Sequence, residues 1–220
     1  MPVILKENRI QNYGPDCIFA ASLQDLAGIE AEGWDIIGAP VIVETPWGKG
    51  TQFDGTSDYI RCESNPPAGS VTTQFSMCIL ASLTSIAQSG QIVLYGDGNG
   101  VDNFYIDFVA PNTFRFVTYS AVSHVVQHVT SPAVGEWFLL TATVDTAGDQ
   151  ILYINDIPEA SANVTWVYSI LNPRTTIGSR YDGLYKIPAV VDSVLMFNKS
   201  LSQADITSLY NNIIGLGTNP

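Results

Sequence analysis

The sequence predicts an all-β protein, an antiparallel β-sandwich with a short C-terminal helix. Three observations carry that prediction. Runs rich in β-branched and aromatic residues recur at short spacing between turn residues. No segment in the middle of the chain sustains a 3.6-residue apolar repeat. A full set of helix-start signals stands near the C-terminus, after residue 200.

Taken in chain order, the first fifty residues have their own texture. Asp25 to Trp34 mixes acidic and small residues, and Gly33, Gly38, Pro40, Pro46 and Gly48 interrupt any long element. This part is read as loop-rich, with one or two edge strands that include Pro40 to Glu44. No linker separates it from the rest, so residues 1–220 are expected to form a single domain with 1–50 wrapping the sandwich. Strands follow at Gln91 to Tyr95, Asn103 to Val109 and Phe114 to Tyr119, divided by Gly96-Asp97-Gly98-Asn99-Gly100 and Ala110-Pro111-Asn112. The best hairpin spans Trp137 to Ile157. Phe138, Leu140, Ala142 and Val144 alternate with Trp137, Leu139, Thr141 and Thr143, and Asp145 to Asp149 supplies the turn. Both of its faces are fairly apolar, as in central strands covered on two sides. For the helix, Ser202 and Asp205 form a capping box, and Leu201 and Ile206 a hydrophobic staple. Ile206, Leu209, Tyr210 and Ile213 make one apolar stripe, and Gly215 and Gly217 end it.

Composition excludes several function classes. Nine Lys and Arg face 21 Asp and Glu, a formal net charge of −12. Phosphate-tracking surfaces and anionic lipid both require clustered cations, so neither nucleic acid nor a lipid surface is an expected partner. The start, Met1 to Glu7, has no basic region followed by an apolar run, and no signal peptide is read there. Phe116 to Gly135 is the longest charge-free span, but Ser123, His124, Gln127, His128 and Pro132 exclude it as a membrane helix. Cys17, Cys62 and Cys78 are odd in number and lack metal spacing, which predicts buried free thiols.

Phe53-Asp54-Gly55-Thr56-Ser57-Asp58-Tyr59-Ile60 resembles the opening motif of laminin-G-like domains in the concanavalin-A-like lectin/glucanase superfamily. Phe75 to Ile79 resembles the next strand of that pattern; Glu136 to Asp145 and Gln150 to Asp156 resemble its central hairpin, with Asn155-Asp156 where Asn-Gly is usual. Thr176-Ile177-Gly178, Val191 to Phe197 and the final helix resemble its close. The resemblance covers residues 50 to 212 as an ordered series and implies two packed sheets in jelly-roll order. It also implies calcium, with Asp54, Asp58 and Asp192 as the ligand candidates.

Enzyme activity is not expected. Glucanases of this superfamily carry an E-x-D-x-x-E-like strand, which sets two carboxyl groups about 5 Å apart across a sugar bond. Here Asp156-Ile157-Pro158-Glu159 is broken by proline, and Asp107 stands as a lone acid. His124 and His128 share a strand face without a third metal ligand nearby, so a solvated or inter-subunit face is read there. Asp97 to Asp102 lacks the spacing and distal glutamate of a calcium loop and is read as a turn. Sugars are recognised by stacking on aromatic faces beside amides and acids. Trp34, Trp47, Trp166, Tyr168, Tyr181 and Tyr185 fall at strand ends or loops, and the ligand-binding candidates are Trp166, Tyr168, Arg180, Tyr181 and Asp182. With 14% charged residues and a mean hydropathy of +0.16, subunit contacts are expected over part of the surface. The reading is a non-catalytic structural and recognition protein on the surface of a virus particle, such as a bacteriophage head decoration or tail protein. It would assemble with itself or with other virion proteins. The alternative is an extracellular carbohydrate-binding module of a bacterial protein.

Overall fold

A computed structural model describes residues 16–63, 73–97, 102–120, 122–164 and 173–215. In chain order the elements are β1 (Cys17–Ser22), α1 (Leu26–Ala31), β2 (Asp35–Ile37), β3 (Val41–Thr45), β4 (Gly48–Asp54), β5 (Tyr59–Cys62) and β6 (Phe75–Leu83). There follow β7 (Gly90–Asp97), β8 (Asp102–Val109), β9 (Thr113–Ser120), β10 (Val122–Val129), β11 (Trp137–Val144) and β12 (Asp149–Ile154). The chain closes with β13 (Ile157–Asn163), β14 (Pro173–Ile177), β15 (Pro188–Phe197) and α2 (Gln203–Gly215).

These strands form two antiparallel sheets. Sheet A runs β13-β12-β11-β6-β15-β4-β3, with β1 also paired to β15; sheet B runs β10-β9-β8-β7-β14-β5-β2. The two pack face to face over one core, as the alternation predicts. Phe104, Ile106 and Phe108 of β8 and Phe114 and Phe116 of β9 point inward to meet Phe75, Met77 and Ile79 of β6. Phe75 and Phe104 stack with ring centroids 4.0 Å apart. Burying a side chain of this size stabilises the fold by about 1.5–3 kcal/mol.

Sheet A is covered on its other face too. Leu201, Ile206 and Leu209, from α2 and its approach, pack on Leu80, Leu139, Tyr153, Leu195 and Phe197. This explains why all nine residues of β6 are buried, and why β11 looks apolar on both faces. The expected capping box forms: Ser202 Oγ donates to Asp205 Oδ2 at 2.8 Å, and the Asp205 N–H donates to Ser202 Oγ at 3.2 Å. The staple residues Leu201 and Ile206 are both buried, and Cys17, Cys62 and Cys78 are buried as expected. Burial pushes the Cys78 thiol up to about 12.

Residues 16–50 are more regular than their glycines and prolines suggest. β1 pairs with the long strand β15, β3 and β2 end the two sheets, and α1 fits between β1 and β2. Short strands borrow their hydrogen bonds from a neighbour already in place, a signal that composition does not carry. Among the described residues no helix is long and apolar enough to cross a membrane.

Candidate functional site

Among the described residues no helix lies over the outward face of sheet B. In β8 and β9 the residues that alternate with the core phenylalanines are Tyr105, Asp107, Arg115, Val117 and Tyr119. Register places Asp107 directly opposite Arg115. Arg115 Nε donates to Asp107 Oδ1 at 2.9 Å and the second guanidinium nitrogen to Oδ2 at 2.5 Å, a bidentate pair. Burial pushes the Asp107 carboxyl above its ordinary range, against the pull of Arg115. The hydrogen bonds to Asp107 in turn hold the Arg115 guanidinium protonated.

A loop from Gly178 to Ile187 forms the second wall. Backbone bonds anchor it at both ends: Gly178 N–H to Ile92 O at 2.9 Å, Ile187 N–H to Gly178 O at 3.1 Å, and Gln91 N–H to Tyr185 O at 2.8 Å. Arg180 and Asp182 pair side by side along the loop. The Arg180 guanidinium lies 4.6 Å from the centroid of the Tyr185 ring and 5.5 Å from that of Tyr181. Tyr185 takes φ +49°, a conformation that costs a non-glycine residue free energy, and its side chain remains 58% exposed. A strained, exposed aromatic held by a hydrogen-bonded loop is a display feature rather than a packing one.

Between sheet and loop lies a groove of about 480 Å³, within the range that holds small ligands. Its lining includes Tyr105, Tyr119, Tyr181, Tyr185, the Asp107–Arg115 pair, Gln91 and Ser123. Gln91 is 6% exposed, and its Oε1 has no hydrogen-bond partner among the described residues. Burial and the neighbouring Asp107 push the Tyr105 hydroxyl above its ordinary range, so it is a neutral donor at physiological pH. Both arginines at the groove are paired with carboxylates, so the site presents flat rings and hydrogen-bonding groups with little net charge. Among the described residues that line it, Asp107 is the one carboxylate. Glycoside hydrolysis needs two.

The candidates read from sequence fall in several places. Arg180, Tyr181 and Asp182 stand together at the rim of the groove. Trp166 and Tyr168, like the Asp97 to Asp102 turn, fall on or beside residues outside the described set. Trp34 and Trp47, also considered for stacking, are buried: Trp34 stacks on Phe19 at 5.3 Å, and Trp47 packs edge-on against Trp137 at 5.3 Å. Asp107, taken as a lone acid, is the partner of Arg115 across the ladder. The sequence reading missed Tyr105, Arg115 and Tyr119, although their alternation with Phe104, Phe114 and Phe116 was the available signal.

Of the three acids expected to hold calcium, Asp54 and Asp58 share one tight loop. Asp54 Oδ1 accepts the N–H groups of Thr56, Ser57 and Asp58 at 2.7, 2.8 and 3.0 Å, and its Oδ2 accepts both hydroxyls. Slight burial pushes its carboxyl up, but those bonds outweigh it and hold the group well below the usual carboxylate range. Asp58 accepts the Ala39 and Asp54 N–H groups at 2.8 and 3.2 Å. Asp192 lies apart, at a bulge in β15, where Thr45 Oγ1 donates to it at 2.9 Å. Among the described residues no three His, Cys, Asp or Glu side chains are grouped to hold a metal ion.

Comparison with known proteins agrees with this architecture. Residues 54–207 match a laminin-G family model described as the concanavalin A-like lectin/glucanases superfamily. No curated protein matches the chain in sequence. Among solved structures, domain 4 of AbnA, a GH43 extracellular arabinanase from Geobacillus stearothermophilus in complex with arabinotriose, superposes with a TM-score of 0.71 at 15% identity, over 89% of this chain and 98% of that one. The binding domain of botulinum neurotoxin serotype G superposes at 0.68 and 14% identity, over 88% of this chain and 50% of that one. A botulinum neurotoxin type C structure, whose cell entry depends on two ganglioside molecules, gives 0.63 and 17%, over 82% and 46%. The chain spans about half the length of these toxin structures. At such identities the likeness is one of fold.

Proposed function

Because the chain belongs to the concanavalin A-like lectin/glucanase superfamily, we propose that it is a non-catalytic recognition module that binds an uncharged glycan in the groove on sheet B. One observation carries this reading: four tyrosines surround a groove whose two arginines are each neutralised by a carboxylate. Tyrosine rings stack on the apolar face of a pyranose or furanose, while ring hydroxyls, Gln91 and Ser123 can take sugar hydroxyls. A sialylated or sulfated sugar would find no unpaired cation among the described groove residues, in a chain of net charge −12. Two structural neighbours, the arabinanase domain in complex with arabinotriose and the type C neurotoxin whose cell entry depends on interaction with two ganglioside molecules, support a glycan for this fold. A glycan array followed by calorimetry tests the reading. Tyr185→Ala and Tyr105→Ala should each weaken a neutral oligosaccharide by roughly tenfold. Binding left intact in the double variant would exclude the groove, and release of reducing ends from the bound glycan would exclude the non-catalytic assignment.

A structural role on a virus particle is a second reading, and one observation favours it. Val122, Val125 and Val129 of β10 are exposed, as are Val41 and Ile157 on other sheet-end strands, and subunit contacts cover surfaces of this kind. Finding the protein in purified particles rather than in culture medium separates this placement from the extracellular one. Calcium at the Asp54 loop stays a proposal, supported if EDTA lowers the melting temperature.

A further inference from the structure

One groove residue runs against the alternation of its own strand. In β7, Val93 and Tyr95 point into the core, so a regular strand would send Gln91 inward with them. The strand instead bulges at Ile92. Gln91 stands opposite Asp107 and Val93 opposite Ile106, while Ile92 and Val93 are both fully buried in the core. The extra residue turns Gln91 to the outward face, beside Asp107 in the groove. β14 ends at Ile177, and beyond it the loop from Gly178 to Ile187 becomes the neighbour of β7, with the Tyr185 carbonyl accepting the Gln91 N–H. Gly90 permits this approach, since a Cβ there would run into the Lys186 carbonyl. Gln91 is thus nearly covered, yet it lines the groove, and its Oε1 finds no donor among the described residues. Asp107, bonded to Arg115 through both oxygens, offers acceptors beside it and no donor. A buried acceptor without a donor weighs against folding, and so does a break in the ladder. Their coincidence at one groove position points to a ligand.

We propose that Gln91 sets the specificity of the groove. Its Oε1 accepts a hydrogen bond from one free hydroxyl of a sugar stacked on the groove tyrosines, and the site discriminates against sugars that are deoxygenated or substituted at that hydroxyl. The assignment rests on the glycan reading proposed above and narrows it from neutral glycans to those with a donor at one position. The selection is asymmetric. A sugar that brings the donor satisfies a group that folding left unpaired. A sugar that lacks it closes the groove over Gln91 and leaves the acceptor buried without a partner, a penalty larger than the worth of an ordinary hydrogen bond. The backbone bond from Gln91 to Tyr185 fixes the acceptor relative to the loop that carries the exposed ring, so stacking and hydroxyl selection are read by one rigid unit.

The test combines one variant with small neutral probes: the methyl glycosides of glucose, galactose, mannose, xylose and arabinose, and the monodeoxy and monodeoxyfluoro forms of those that bind, titrated by NMR. For the wild type, one ring position should stand out, where either replacement weakens binding by roughly tenfold. Fluorine cannot donate, so a matching loss in the fluoro form identifies the sugar as the donor and Gln91 as the acceptor. Gln91→Met, close to glutamine in length, should bind parent and modified sugars within about twofold of one another. Without any sugar it should also melt about 2–4 °C above the wild type, because the unpaired acceptor is gone. A lower melting temperature would overturn the proposal by showing that the fold itself uses the amide. A preference that persists in Gln91→Met, or a fluoro sugar that binds like its parent at every position, would overturn it as well while leaving the glycan reading in place. A wild type that binds none of the glycosides and gives no signal on the glycan array would end both.

Discussion

The outward faces of the two sheets are built on the same alternation and serve opposite ends. On sheet A the outward residues are Cys78, Leu80, Leu139, Tyr153, Leu195 and Phe197, and α2 lies over them. On sheet B they are Tyr105, Asp107, Arg115 and Tyr119, and a hydrogen-bonded loop stands beside them rather than across them. One face is a second core. The other keeps its aromatic rings and hydrogen-bonding groups toward solvent. On the proposed reading, stability and recognition are divided between the layers, so substitutions should separate the two properties.

The largest effect is expected from Ile206→Ala, which empties a fully buried position under α2. It should cost about 2–4 kcal/mol in urea unfolding while leaving glycan affinity within twofold. Next comes Arg115→Ala, which strands a buried carboxylate on the groove floor. A loss of about 2 kcal/mol is expected at neutral pH, less than for a fully buried pair because Arg115 is partly exposed. Its sign with pH is definite. The folded-state pKa of Asp107 is already raised by burial, and losing Arg115 raises it further. The variant should therefore approach wild-type stability in acid and lose it as pH rises through that elevated pKa. An Arg115→Met, Asp107→Leu double variant should recover most of the stability but not the binding.

A smaller effect, about 1 kcal/mol, is expected from Ser202→Ala, which removes the side-chain half of the helix cap. The hydrogen bonds from Ser202 hold the Asp205 carboxyl below its ordinary range. The cap's contribution should thus be present above the ordinary carboxylate pKa and fade as pH falls through the depressed one. Tyr185→Gly should change stability least, since glycine adopts φ +49° without strain, yet it should weaken the glycan by about tenfold. A Tyr185→Gly protein that unfolded more readily while binding normally would invert the proposed division of roles.

Much of the fold was legible beforehand because its signals are local. The capping box, the hairpin from Trp137 to Ile157 and the alternation of Phe138, Leu140, Ala142 and Val144 depend on neighbours a few residues away. The site was less legible. Arg180, Tyr181 and Asp182 could be picked out as a compact polar and aromatic group, but Asp107 looked solitary because its partner is eight residues further on, across a turn. Trp34 and Trp47 looked available because they sit near glycine and proline, whereas each is covered by a ring from a distant strand.

By itself, then, the sequence determined that the chain is a sandwich of alternating strands with a capped helix, since backbone preference, turn chemistry and side-chain period act over short distances. Only the tertiary structure decided which outward face became a second core and which became a groove. That outcome depends on where α2 and the loop from Gly178 to Ile187 come to rest, and long-range packing sets their positions. Alternation assigns every strand two faces and says nothing about which of them another layer will cover.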